Sequence, residues 1–192
     1  MYSPFTANFF VLKKQALALT GVFRLYDQND SLVAYSRQKM FKLREDIRVY
    51  ADEDQLQELL YIQARQILDF SAAYDVCDSQ SGELVGTLRR RGLRSMLRDE
   101  WDVLAPGDRL IGSLYEDNMG LAILRRMLLG SLLPQNYDLV ANGQRVMDLR
   151  QRFNIFRYEL ILDFSFDTTR LIDHRLGIAA GILLAAIEGR QE

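Results

Sequence analysis

Twelve consecutive apolar residues near the C-terminus, Leu176 to Ile187, decide most of what this chain can fold into. As a helix the run spans roughly 18 Å, against ~30 Å of bilayer hydrocarbon. It is short for a membrane span, yet apolar on every side. Such a helix must be buried in protein or lipid. Everything upstream reads as short strands, so the economical solution is a β-barrel that wraps the helix as its core. Membrane insertion is the rival reading, and length argues against it.

Within the run, Gly177, Gly181 and Ala185 fall four apart and make one narrow face. That face lets a helix fit a lumen of limited width. Two interior glycines cost roughly 1 kcal/mol each in helix propensity, so tertiary enclosure must hold the helix. Burial of Ile178, Ile182, Leu183, Leu184 and Ile187 returns roughly 1.5–3 kcal/mol each. Thr168 or Thr169 is placed to cap the helix, and Asp173 falls in its early turns, where a carboxylate is favoured.

Upstream, one unit recurs: an alternating strand, a polar turn and a second short strand. Phe23–Tyr26 precedes Leu32–Tyr35, Tyr74–Cys77 precedes Leu84–Leu88, Trp101–Leu104 precedes Leu110–Leu114, and Tyr137–Val140 precedes Val146–Leu149. Ile47–Tyr50 with Leu59–Ile62 is a looser copy, with Asp52 to Leu60 readable as a helical turn or a wide polar loop. A last pair is expected at Phe153–Tyr158 and Leu160–Phe166. Gly, Pro, Asn and Asp between the runs supply the turns that join antiparallel strands, most sharply at Pro106-Gly107 and Asn142-Gly143. One hairpin cannot bury its apolar face alone, whereas several in series can curl into a closed sheet without edges. Leu121 to Leu133, stopped by Pro134, reads as a short helix or an insertion.

Composition fits one domain spanning residues 1–192, with 48% apolar and 26% charged residues. A net charge of −2 gives no global attraction for nucleic acid or anionic membrane, so such binding needs a local patch. No nucleic-acid partner is expected. The single cysteine, Cys77, cannot form an internal disulfide. The N-terminus has no basic region ahead of an apolar stretch, so no signal peptide is read and a cytoplasmic location is the default.

The hairpin series ending in an apolar Gly/Ala helix resembles the tubby C-terminal-like superfamily, nearest to its LURP-one-related and phospholipid scramblase-like members. The carriers are Tyr74-Asp75-Val76 with Leu84-Val85-Gly86, the segment Leu133-Pro134-Gln135-Asn136-Tyr137, and Leu171 through Glu188. The resemblance implies a mainly β fold: a closed antiparallel barrel of about twelve strands around a central hydrophobic helix. It also implies a link to membrane lipids, in some members through phosphoinositides. The chain lacks the Pro-rich N-terminus and clustered cysteines of eukaryotic scramblases. Asp163-Phe164-Ser165-Phe166-Asp167 offers too few oxygens for calcium, so calcium binding is not carried over.

The strongest charge cluster is Arg89-Arg90-Arg91-Gly92-Leu93-Arg94. Guanidiniums of Arg89, Arg90, Arg91 and Arg94 converging at a barrel rim could clamp a lipid headgroup through forked hydrogen bonds. The alternative is a solvated hairpin end balanced by Asp99, Glu100 and Asp102. Lys13-Lys14 and Arg125-Arg126 are weaker versions, and alternation puts only one of each pair outward on a strand. His174, the only histidine, reads as structural at the helix start, because no Gly-x-Ser-x-Gly nucleophile motif accompanies it. Cys77 reads as a packed thiol. One His and one Cys cannot build a tetrahedral zinc site, and no phosphate loop or dinucleotide fingerprint occurs.

These features favour a non-enzymatic module, with no cofactor, no metal and no catalytic residue. It binds anionic phospholipid or phosphoinositide, or acts in regulation, peripherally at a membrane. The alternative is a scaffold for an unknown protein without a ligand of its own. A carrier for a small apolar molecule needs an empty lumen, and an enzyme needs a coherent catalytic set.

Overall fold

The computed structural model describes residues 4–15, 20–39, 47–66, 72–91, 100–117, 135–152 and 157–188. Twelve antiparallel strands close into one barrel around a single described α-helix. The strands are β1 (Phe9–Gln15), β2 (Thr20–Asp27), β3 (Leu32–Lys39), β4 (Ile47–Tyr50), β5 (Glu58–Gln66) and β6 (Ala73–Asp78). They continue with β7 (Leu84–Arg90), β8 (Glu100–Ala105), β9 (Arg109–Glu116), β10 (Asn136–Ala141), β11 (Gln144–Arg152) and β12 (Arg157–Asp163). Neighbours in sequence are neighbours in the sheet, and β12 returns to pair with β1 from Phe9↔Asp163 to Gln15↔Arg157. The helix α1 (His174–Glu188) follows.

Each hairpin read from the sequence is present. Asp52 to Leu60 resolves into a polar turn followed by the start of β5. The last strand pair differs from the expectation. Strand β11 runs on to Arg152 and pairs with a β12 confined to Arg157–Asp163, while Phe164 to Phe166 already belong to the turn before α1. Strand β1, which pairs with β2 and β12, was not among the hairpins read from the sequence. Leu121 to Leu133 and most of Phe153 to Tyr158 lie outside the described residues.

The turns obey backbone chemistry. Asn142 and Gly143 both have positive φ (50° and 75°), the conformation a tight two-residue hairpin demands. Hairpins β2–β3, β4–β5, β6–β7, β8–β9 and β10–β11 each shift register close to their turn. A bulge there raises local twist and bends the strand, which helps a sheet close. It also turns two successive side chains toward buried surroundings, as at Val76–Cys77 and Val103–Leu104.

The inward faces enclose α1. Leu12, Leu25, Leu60, Val76, Val103, Leu139 and Leu162 are at most 1% exposed, and Leu176 to Ala185 of the helix are buried throughout. The helix lies closest to β7 and β12. A Cβ built on Gly177 would stand 2.5 Å from the Phe164 ring and 2.7 Å from Met147 Sδ. At Gly181 it would stand 3.0 Å from Leu162 Cδ2. The small-residue face thus meets the β11–β12 wall, where only hydrogen at Cα fits without displacement.

The helix start differs in one detail. Asp173 is the cap, not Thr168 or Thr169: its Oδ1 accepts from the Arg175 amide at 2.9 Å and its carbonyl from the Leu176 amide at 2.9 Å. Upstream, buried Asp167 accepts the amides of Leu171 (2.8 Å) and Ile172 (3.0 Å), which fixes the approach of the chain to the lumen.

Candidate functional site

Filling of the lumen moves any binding to the outside. An apolar gap between Trp101 and Leu184 has no space for a water molecule. A carrier function has no room there. The ends and outer wall of the barrel remain.

At the end where α1 finishes, β7 and β8 place the arginine row. Arg89 lies directly across from Asp102, and Asp102 across from Ser113 on β9. Arg89 Nη2 donates to Asp102 Oδ2 at 3.0 Å. Arg91 Nε donates to Asp102 Oδ1 at 2.6 Å, its Nη1 to Glu100 at 3.3 Å and its Nη2 to Ser113 Oγ at 3.0 Å. The Asp102 carboxylate holds the Arg91 guanidinium's affinity for its proton above the ordinary value. These bonds order two guanidiniums side by side on the outer wall. The Arg89 side chain stays about half exposed, at 47%. Arg90 faces the other way, since its cross-strand partner is the core residue Trp101. Arg94 and Arg98 lie outside the described residues, as do Arg125 and Arg126.

The same alternation separates the two lysines. Lys13 projects outward to Asp30 at 3.1 Å and over the Tyr26 ring. Lys14 lies across from the core residue Phe23, and its ammonium donates to the Ala185 carbonyl of α1 at 3.2 Å. A cation at a helix C-terminus complements the partial negative charge there. Glu116, opposite Tyr137, is 3% exposed in the same inward set. A polar layer beneath the end of α1 was invisible to sequence reasoning; the signal was a lysine and an arginine on the apolar register of their strands.

The opposite end, where α1 begins, carries a cleft of about 1080 Å³. Its walls come from the β2–β3, β4–β5 and β6–β7 turns, the short 3₁₀ turn at Pro4–Thr6 and the first residues of α1. Arg175 Nη1 donates to Asp78 Oδ2 at 2.9 Å, and its Nη2 to Asp173 Oδ2 at 2.6 Å. Arg170 reaches the Thr6 carbonyl at 3.4 Å. His174 stacks on Phe164, with ring centroids 4.1 Å apart, and its Nδ1 lies 3.1 Å from the Phe5 carbonyl. Burial pushes the imidazole below its ordinary pKa, only partly offset by that carbonyl. No nucleophile hydroxyl or thiol is hydrogen-bonded to His174 among the described residues, and its placement is that of a packed helix-start residue. Cys77 is buried and free. Among the described residues no group of three or more His, Cys, Asp or Glu could hold a metal ion, and no helix is long and apolar enough to cross a membrane.

Comparison with protein-family models gives a match. The family model described as LURP-one-related covers residues 32–182, from β3 into α1. No curated protein matches the chain.

Proposed function

We propose a function from one premise: the chain belongs to the LURP-one-related family. The protein acts as a non-enzymatic binding module whose ligand is engaged on the outside of the barrel. The supporting observation is the lumen itself, filled by α1 from Leu176 to Ala185. On the lipid reading, the ligand is an anionic phospholipid headgroup received by Arg89 and Arg91 on the outer wall, with Arg94 of the same sequence cluster as a further candidate, while Arg90 faces inward and takes no part. The ordered pair Arg89 and Arg91 supports this choice, because planar guanidinium forks recognise phosphate well. A protein-interaction scaffold is the second reading. It is favoured by the carboxylates of Asp102 and Glu100, which already balance those arginines.

The test is co-sedimentation with phosphoinositide-containing and neutral vesicles at two salt concentrations. Wild type is compared with the Arg89→Gln/Arg91→Gln/Arg94→Gln protein, with circular dichroism as the check on folding. Each basic residue near an anionic surface contributes about 1 kcal/mol, screened over ~8–10 Å. The lipid reading expects binding that salt weakens and the triple variant loses. Equal binding by both proteins, or none by either, leaves the scaffold reading in front.

A further inference from the structure

The barrel is closed unevenly. Strands β2 and β3 pair from Thr20↔Lys39 to Tyr26↔Leu32, and β4 and β5 pair from Ile47↔Ile62 to Tyr50↔Glu58. Between these two hairpins, β3 and β4 meet at a single residue pair, Tyr35↔Tyr50. Beyond it the register stops: among the described residues, 36–39 of β3 have no cross-strand partner on β4. Every other neighbouring pair of strands carries a longer register. Backbone bonds between strands hold a sheet together, so the stretch with the fewest parts first.

Three further observations fall on the same seam. Ser36, just past the last pair, lies across from the core residue Phe23 and is buried, and its hydroxyl has no hydrogen-bond partner among the described residues. A buried hydroxyl left unmatched weighs against the closed state and in favour of one that wets it. The helix α1 lies closest to β7 and β12, so it braces other parts of the wall. From outside, Arg24 of β2 reaches past β3 to Glu53 on the β4–β5 turn. Its Nε donates to Oε1 at 2.7 Å and its Nη2 to Oε2 at 3.2 Å, with the guanidinium over the Tyr35 ring. This forked pair crosses from one hairpin to the other. Leu32 and Val33 on one side of the seam, and Ala51 and Leu59 on the other, also line the cleft at the start of α1.

We propose that the barrel opens laterally between β3 and β4, with the Arg24–Glu53 ion pair as its latch, and that opening extends the cleft into the wall. The β2–β3 and β4–β5 hairpins move as units with their own ladders intact. Only the Tyr35–Tyr50 contact and the latch have to break, so the opening is local and leaves the rest of the barrel folded.

The test is thiol labelling of the full chain by iodoacetamide without denaturant, in a Cys77→Ser background. Val49 and Val103 are both fully buried. Val103 has ladder partners on both sides, Leu88 and Gly112, whereas Val49 has Leu60 alone. Val49→Cys is expected to react at least about tenfold faster than Val103→Cys, after labelling through global unfolding, known from urea unfolding of each variant, is subtracted. Ala34→Cys, buried on the β3 side, is the second reporter should circular dichroism show Val49→Cys unfolded. Glu53→Gln is expected to speed the seam reporter about two- to fivefold, the range an exposed ion pair allows, and to leave Val103→Cys unchanged. Three outcomes overturn the proposal: equal rates at seam and control, a seam reporter no faster in Glu53→Gln, or a control that speeds up as much as the seam.

Discussion

Arg175, in the first turn of α1, and Asp78, on the β6–β7 turn, are joined by a 2.9 Å bond between Nη1 and Oδ2. The bond ties the central helix to the barrel wall at the end where the chain turns inward. Asp78 is also the organiser of its own turn, accepting the amides of Gln80 and Ser81 at 3.0 Å. One carboxylate therefore fixes a hairpin and the helix start together.

Breaking this tie should loosen the helix start without opening the barrel. Asp78→Asn keeps the turn acceptor and removes the charge, at an expected cost of about 1 kcal/mol for a partly exposed pair. Arg175→Met also strips Asp173 of its partner and should cost more, roughly 1–3 kcal/mol. Urea unfolding of both single variants and the double variant gives the coupling. Strictly additive losses would show that the two side chains do not act as a pair.

The two helix glycines should respond differently. At Gly177 a methyl group meets the Phe164 ring at 2.5 Å, and that ring is pinned between Phe10 and His174. Gly177→Ala should therefore lose roughly 1–3 kcal/mol despite the better helix former. At Gly181 the nearest atom is the end of Leu162, at 3.0 Å, so Gly181→Ala should change stability by about 1 kcal/mol or less either way. Gly181→Leu, with its larger bulk, should cost roughly 1–3 kcal/mol or more. Thermal unfolding of the three variants checks the order. A Gly177→Ala protein as stable as wild type would mean that the helix can retreat from the β11–β12 wall.

Much of this architecture was legible because two periods are written plainly: two residues along each strand, and an apolar run too short for a bilayer. Legibility stopped where register broke. The bulges beside Val76 and Val103 pair buried neighbours that alternation assigns to opposite faces. Alternation put one residue of Lys13-Lys14 inward without saying which, and left the phase of the Arg89–Arg91 run open; cross-strand register makes Lys14 and Arg90 the inward ones. The cleft was not legible at all, since its walls come from three turns and two chain segments far apart in sequence. His174 was read at the helix start, where the structure has it, but its contact with the Phe5 carbonyl, 169 positions away, was not legible.

His174 should make stability depend on pH above the carboxylate range. Its folded pKa lies below its ordinary value of 6.5, so the unfolded chain binds more protons between the two. Stability is then full above pH 6.5 and is lost as pH falls toward the folded pKa, at about 1.4 kcal/mol for each unit of difference. Asp78 and Asp173, both shifted below their ordinary 3.8, act only at lower pH. Titration of the single imidazole by NMR gives the folded pKa directly. His174→Phe should flatten the urea midpoint between pH 7.5 and 5. A folded midpoint at or above 6.5 would remove the effect.

Asp138 should show the reverse sign. It lies directly across β11 from Asp148, and like charges facing each other on a sheet repel. Among the described residues its cationic partner, Arg145, stands 3.4 Å away, while Asp148 holds Arg150 at 2.6 Å. Burial, then the nearby Asp117 charge, push the Asp138 carboxyl above its ordinary 3.8. The folded protein therefore binds the proton more readily, and stability is lost as pH rises through the folded pKa. Asp138→Asn removes that charge while keeping the side chain's shape. At pH 7 it should gain on the order of 1 kcal/mol or less, a discounted figure for a site still partly open to solvent. At pH 3, where Asp138 is protonated in both states, the gain should vanish. Urea unfolding at the two pH values decides it: a variant less stable than wild type at pH 7 would mean that the Arg145 bond outweighs burial and repulsion together.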